Sequence, residues 1–314
     1  MTSLDALQRA VLTAALLMQR QSWEQGVLSH ALLDLGLVDD AMVIAHDAVQ
    51  RRTAVGKLGE IDDGGIVNSG ALGEVVAFAA RRAPGHGYEE ALRDQLDWLL
   101  HGAPRAADGT LFHIEGGREV WVDTVYMAVP LLLLTGEGPA ARTQLEGHRE
   151  RLFDETAGLY GWRWSEEEGR VTHAQHWGTG NGWVVAGIAR AMRLGGSEDA
   201  WFRTEATAHA RTVIDAAVSA ARASHGFHDV LDDPGTFEEG NVRQMLAYAA
   251  LAGATDGWLP GSYRSLGAQL LEEARERIGE HGVVEGVCGS PRFDRSGTST
   301  EAQAMFLLAS AAAR

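Results

Sequence analysis

The chain has 314 residues, and 45% are hydrophobic, enough apolar material for one large core or two smaller ones. Its formal net charge of −16 argues against nucleic acid and anionic membrane as partners, although a local pair of arginines could still hold an anionic sugar. One cysteine, Cys288, excludes an intrachain disulfide and fits a reducing compartment.

The opening residues, Met1-Thr-Ser-Leu-Asp5, lack the charged and apolar regions of a signal peptide. The apolar run Ala128–Leu134 is too short to span a bilayer and contains Pro130. The expectation is a soluble, cytoplasmic protein, a monomer or homodimer, with neither nucleic acid nor membrane as partner.

Helical periodicity recurs along the chain, and strand-like alternation is scarce. It predicts helices near 3–20, 23–36, 39–54, 69–82, 88–101, 121–135, 138–152, 182–194, 197–223, 240–253, 261–279 and 299–313. Gly36 can end the second helix, with Asp39 or Asp40 opening the third, and Pro139 suits the first turn of the seventh. Thr298-Ser-Thr-Glu301 reads as a capping box before the last helix. Twelve helices make six hairpins, none able to bury its apolar face alone. The expected fold is all-α, an (α/α)6 barrel in a single domain over 1–314, with an open solenoid as the rival. The long connections 55–68, 102–120, 153–181, 224–239 and 280–297 alternate with short ones, which would gather the long loops at one end of a barrel. Their Trp, His and acidic content points to function rather than disorder.

Two stretches carry most of the chemistry. In Trp121-Val-Asp123-Thr-Val-Tyr126-Met127, Asp123 edges a mostly apolar run. A partly desolvated carboxyl there suits general acid work; the alternative is a helix cap accepting from the amides of Val125 or Tyr126. In His176-Trp177-Gly-Thr-Gly-Asn181-Gly-Trp183, two tryptophans flank three glycines ahead of an apolar helix that Asn181 would cap. This suggests a rigid, aromatic-lined turn at the mouth of a sugar pocket, or a capped helix start with core tryptophans. With no strand before these glycines and no Lys-Ser/Thr after them, a nucleotide site is rejected.

Other residues could complete a pocket. His113, ten residues before Asp123, could hydrogen-bond a substrate hydroxyl or that carboxyl. Trp162 and Trp164 add to the clustered loop tryptophans. Glu239 could cap the tenth helix, pair with Arg243 or contact ligand. Asp62 or Asp63 could supply a second carboxylate. Arg163, Arg243, Arg292 and Arg295 are candidates for clamping a substrate carboxylate. His173-x-x-His176 and His225-x-x-His228 match no complete ligand set, so neither metal nor cofactor is expected.

Trp121-Val-Asp-Thr-Val-Tyr-Met-Ala128, taken with Trp177-Gly-x-Gly-Asn-Gly-Trp183, resembles the unsaturated glucuronyl and rhamnogalacturonyl hydrolases, glycoside hydrolase families 88 and 105. Trp23-Glu-Gln-Gly26, Asp108-Gly-Thr-Leu-Phe-His113, Gly158-Leu-Tyr160, His228-Asp-Val-Leu-Asp-Asp-Pro234, Phe237-Glu-Glu239 and Met245-Leu-Ala-Tyr248 fall in the same order. The resemblance implies an (α/α)6 barrel, an oligosaccharide substrate with a 4,5-unsaturated uronic acid at its end, and Asp123 as acid/base in hydration of the enol ether. It makes His113 a substrate-contacting histidine and Trp177, Asn181 and Trp183 part of the pocket wall. The full expected set of substrate contacts is Asn68, His113, Trp121, Met127, Trp162, His176, Trp177, Asn181, Trp183 and Glu239. Three positions depart from the family pattern: Asn68 and Thr179 stand where many members have aspartate and arginine, and Trp162 where a histidine is common. Two further readings stay open, a hydrolase of saturated glycosides using a carboxyl pair and a catalytically silent sugar-binding barrel.

Overall fold

The computed structural model describes residues 4–59, 64–290 and 292–314. Its α-helices, in chain order, are α1 (Ala6–Met18), α2 (Ser22–Leu35), α3 (Val38–Gln50), α4 (Gly73–Arg82), α5 (Tyr88–Asp97), α6 (Thr124–Leu134), α7 (Gly138–Leu152), α8 (Gly178–Ala191), α9 (Thr207–Ser224), α10 (Asn241–Thr255), α11 (Ser262–Arg275) and α12 (Thr300–Ala312). The even-numbered helices pack each on the next, and α12 returns to α2, so the inner ring is closed. The odd-numbered helices lie outside them as hairpin partners. This is the expected (α/α)6 barrel, and the α12–α2 contact removes the open solenoid.

Sequence explains the two rings. All fourteen residues of α8 are buried, and α6 and α12 are apolar nearly all round, as helices with neighbours on every side must be. In the outer α11, Tyr263, Gly267, Leu270, Leu271 and Ala274 form one buried stripe. Gly26 lets α2 close on the short 3-10 helix Asn68–Leu72 that precedes α4: a Cβ there would lie 2.4 Å from the Ala71 Cβ.

Helix boundaries follow the expected ones with instructive exceptions. Gly36 ends α2 in a left-handed conformation, and Pro139 stands in the first turn of α7. The helix expected from 121 starts at Thr124, because Trp121 belongs to a strand. The helix expected from 182 starts four residues earlier. Asn181 is therefore not its N-cap but a residue of its first turn. The capping box expected at 298–301 does not close: Ser299 is the N-cap and accepts from the amide of Ala302.

The long loops precede inner helices and so collect at one end of the barrel, where they form short strands. Those are β1 (Glu119–Trp121), β2 (Phe153–Asp154), β3 (Leu159–Tyr160), β4 (Arg163–Ser165), β5 (Arg170–His173), β6 (Val287–Gly289) and β7 (Arg292–Gly297). They pair as β1-β4-β5, β2-β3 and β6-β7, all antiparallel, with Trp121 opposite Arg163. Among the described residues, no helix is long and apolar enough to cross a membrane.

Candidate active site

The inner helices all begin at the end that carries these loops. A cavity of about 170 Å³ lies there. Trp23 enters it from the start of α2, Asn68 from the 3-10 helix, His113 and Ile114 from the loop after α5, and Trp121 from β1. Asp123 precedes α6 and Met127 lies within it. Trp177 stands at the N-cap of α8 and Trp183 lies within that helix, while Phe293 comes from β7 and Glu301 from the first turn of α12. Helix N-termini favour negative charge, so their convergence suits an anionic ligand.

Asp123 occupies the cap position of α6, yet its side chain makes no capping hydrogen bond. Its Oδ1 is buried without a hydrogen-bond partner among the described residues, and Oδ2 lies 3.6 Å from His113 Nε2. His113 is fixed on two sides. Its Nδ1 is 2.9 Å from Thr124 Oγ1, and its ring stacks on Trp121 at 4.6 Å between centroids, with 7° between planes. Trp121 Nε1 donates to Glu119 Oε2 at 2.7 Å. Behind it the aromatic wall continues through Trp162 and Trp177 to Phe293, and Trp183 meets Tyr126 edge-on. An acid beside a histidine against a tryptophan wall can exchange protons with a stacked sugar ring.

Glu301 is the second carboxyl in the cavity, buried to 2% exposure, with no hydrogen-bond partner for Oε2 among the described residues. Burial, followed by the charge of nearby Glu24, pushes its pKa up to about 8. Sequence alone missed it, because Ser/Thr-x-x-Glu ahead of an apolar run is the pattern of a capping box. Trp23, Gly65, Ile114 and Phe293 also line the cavity, and none of them is among the expected site residues. Of these, Trp23 carried a sequence signal, since it belongs to the Trp-Glu-Gln-Gly stretch.

Seven of the expected site residues meet in this cavity: Asn68, His113, Trp121, Asp123, Met127, Trp177 and Trp183. Four do not line it. Asn181 is fully buried; it accepts from the Tyr160 amide at 2.8 Å and donates to the carbonyls of Tyr160 and Trp177. It fastens the β3 loop to α8. Glu239 accepts from the amides of Val242 and Cys288, so it caps α10, and burial pushes its pKa up to about 7. His176 is 2.7 Å from Asp232 Oδ2 and 3.7 Å from Asp154, which ties two loops together. Trp162 stands behind the wall, between Trp121 and Trp177.

The glycines of 178–182 also serve packing rather than a turn. None has positive φ, and a Cβ at Gly182 would lie 2.3 Å from Met245 Sδ. Thr179 packs against Cys288, whose thiol donates to it at 3.4 Å. No expected arginine lines the cavity. Arg163 lies 3.8 Å over both Trp121 and Trp162, Arg243 faces Glu238 and Glu273, Arg295 pairs with Asp294, and Arg292 is exposed. Asp62 and Asp63 lie outside the described residues.

A larger cavity, about 900 Å³, opens at the opposite end, where the inner helices finish. Its buried charges are matched: Arg190 binds Glu74 and Asp34, and Arg193 binds Asp34 and Asp256. The aromatic cavity instead holds carboxyl oxygens that have no partner among the described residues, and those are the groups available for chemistry.

The sequence profile of Glycosyl Hydrolase Family 88 matches residues 17–313. Unsaturated rhamnogalacturonyl hydrolase YesR of Bacillus subtilis is 25% identical over 207 residues, covering 59% of this chain and 58% of YesR. The match thus spans less than two thirds of that relative's length. A possible member of glycoside hydrolase family 105 from Klebsiella pneumoniae superposes with a TM-score of 0.80 at 20% identity, over 98% of this chain and 91% of its own. A family 105 glycoside hydrolase from C. acetobutylicum gives 0.81 at 15% identity, over 98% of each chain. These two structures share the fold.

Proposed function

The chain belongs to Glycosyl Hydrolase Family 88, and from that premise we propose that it hydrolyses short oligosaccharides ending in a 4,5-unsaturated uronic acid, with Asp123 donating and accepting the proton. One observation carries the reading. Asp123 shares an aromatic-walled cavity with His113, Trp121, Trp177 and Trp183, and keeps one buried oxygen without a hydrogen-bond partner among the described residues. A carboxyl spent on backbone amides would have nothing to offer a sugar ring. The name of the Bacillus subtilis relative supports the same substrate class.

The reaction is a hydration. The Asp123 carboxyl gives its proton to C4 of the enol ether, and positive charge develops at C5, shared by the ring oxygen. Water adds at C5 and returns a proton to the Asp123 carboxylate. The hemiketal so formed opens to a ketone, leaving at C1 a hemiacetal that releases the next sugar as an alcohol. One water is consumed and the acid is regenerated. His113, held by Thr124 and Trp121, orients the carboxyl and a substrate hydroxyl. Asn68 keeps the shape and hydrogen-bonding capacity of an aspartate but cannot titrate, which a mechanism with one acid tolerates. The buried, free Cys288 fits a cytoplasmic setting.

A second reading has Glu301 in its favour. Two carboxyls in one cavity are what hydrolysis of a saturated glycoside requires, one as acid and one as base or nucleophile. Unsaturated disaccharides prepared with polysaccharide lyases separate the two. Turnover erases the ultraviolet absorbance of the enol ether. Inertness of the wild-type protein toward the whole panel overturns the first reading, and release of p-nitrophenol from saturated glycosides would move the assignment to the second.

A further inference from the structure

A uronyl substrate brings a carboxylate into a cavity that, among the described residues, no arginine or lysine lines. Thr179, where an arginine would stand in the resembling family, is buried against Cys288. The same cavity wall holds Glu301, deeply buried, with one oxygen that has no hydrogen-bond partner among the described residues. We propose that Glu301 binds the substrate by donating a hydrogen bond from its carboxylic acid to the carboxylate of the uronyl ring. This rests on the substrate class proposed above.

The surroundings of Glu301 separate it from the other buried acids. Glu24 on α2 accepts from the amides of Arg20 and Gln21, and Glu239 ahead of α10 accepts from those of Val242 and Cys288. Both spend their lone pairs on backbone. Glu301 Oε2 has no such partner among the described residues. The titratable groups about it are Glu24, Glu239 and the Cys288 thiol, with Asp123 and His113 in the cavity it shares. Burial and these acids, with a pKa of about 8, keep Glu301 un-ionised at neutral pH. An ionised Glu301 would repel an incoming carboxylate. A protonated one offers an O–H, and bonds from such a donor to a carboxylate are short and strong. The converging helix N-termini favour the substrate's charge in turn. The pocket therefore selects a carboxylate without a cation, and only while Glu301 keeps its proton.

Steady-state kinetics on an unsaturated disaccharide and on its methyl ester, from about pH 6 to pH 9, test this. For the wild type, KM for the acid rises about tenfold between roughly pH 7 and pH 9 as Glu301 ionises, and KM for the ester does not. Glu301→Gln, a permanently neutral donor, raises KM about threefold at neutral pH and abolishes the alkaline rise. Glu301→Ala raises KM for the acid about tenfold or more, lowers kcat less, and penalises the ester little. The inference is overturned if wild-type KM is flat with pH, if Glu301→Gln keeps the alkaline rise, or if acid and ester lose equally in Glu301→Ala. A kcat about a thousandfold down at every pH in Glu301→Gln also overturns it, because Glu301 would then act on the reacting bonds. Turnover without the pH signature sinks this inference alone; a wild type inert on every unsaturated substrate sinks the substrate reading and this with it.

Discussion

Asp123 stands where an aspartate ordinarily caps a helix, and the structure shows why this one is free. The first turn of α6 closes by a backbone bond, Tyr126 N–H to the Asp123 carbonyl at 3.1 Å, and the side chain turns to the cavity. Asp123→Asn keeps the shape and removes the transferable proton. We expect kcat to fall about 10³-fold, with an unchanged circular-dichroism spectrum, followed by loss of enol-ether absorbance. A fall of only a few-fold would remove Asp123 from the chemistry. His113→Ala loses the 2.9 Å contact to Thr124 and the stack on Trp121, and should cost about ten- to a hundredfold in kcat/KM. Asp123 was legible in sequence because an acid beside a long apolar run is conspicuous. Glu301 was not, because the same four letters spell a cap or a cavity acid. Only the docking of α12 against α2 and α10 decides which.

At the scale of elements, the start of α8 holds the site together. Its glycines are read from sequence as a ligand-hugging turn, but they are helical and let α8 close on α10 through Met245. Asn181 uses its whole amide on the carbonyls of Tyr160 and Trp177 and the amide of Tyr160, so it anchors the loop that bears Trp162. Asn181→Ala would strand two buried backbone groups of Tyr160 and cost roughly 2–4 kcal/mol, read as a lower denaturation midpoint. Activity of the fraction that stays folded should fall far less than in Asp123→Asn. Equal losses would return Asn181 to the substrate-contacting set. The twelve helices and the side on which the long loops gather were legible, because a 3.6-residue period persists over whole turns and loop lengths alternate. The strands were not: β1 to β4 have two or three residues each, too few for alternation to register.

For the molecule as a whole, closure of the inner ring leaves two ends with opposite electrostatic designs, and both act on stability. At the helix-finishing end, Arg190 is held between Glu74 and Asp34, and burial keeps His30 neutral with its pKa lowered to about 4. His148 and His209 are likewise lowered, to about 4 and about 3, by burial. A histidine with a depressed folded pKa takes up protons mainly when unfolded, so it withdraws stability as pH falls below the ordinary value of 6.5. At the site end the sign reverses. Glu239 and Glu301, with ordinary values of 4.5 raised to about 7 and about 8, bind protons more tightly when folded, and withdraw stability as pH rises between those limits. Below about pH 6.5 the two sets oppose each other; above it only the acids act, so the thermal midpoint should decline from about pH 6.5 to pH 8. Self-repulsion at a net charge of −16 also grows with pH, and differential scanning calorimetry of Glu301→Gln separates the two. The variant removes one titrating group and leaves the net charge of the surface almost intact. Its midpoint should therefore fall less steeply across that interval than the wild type's, and parallel curves would mean that Glu301 is already ionised in the folded protein.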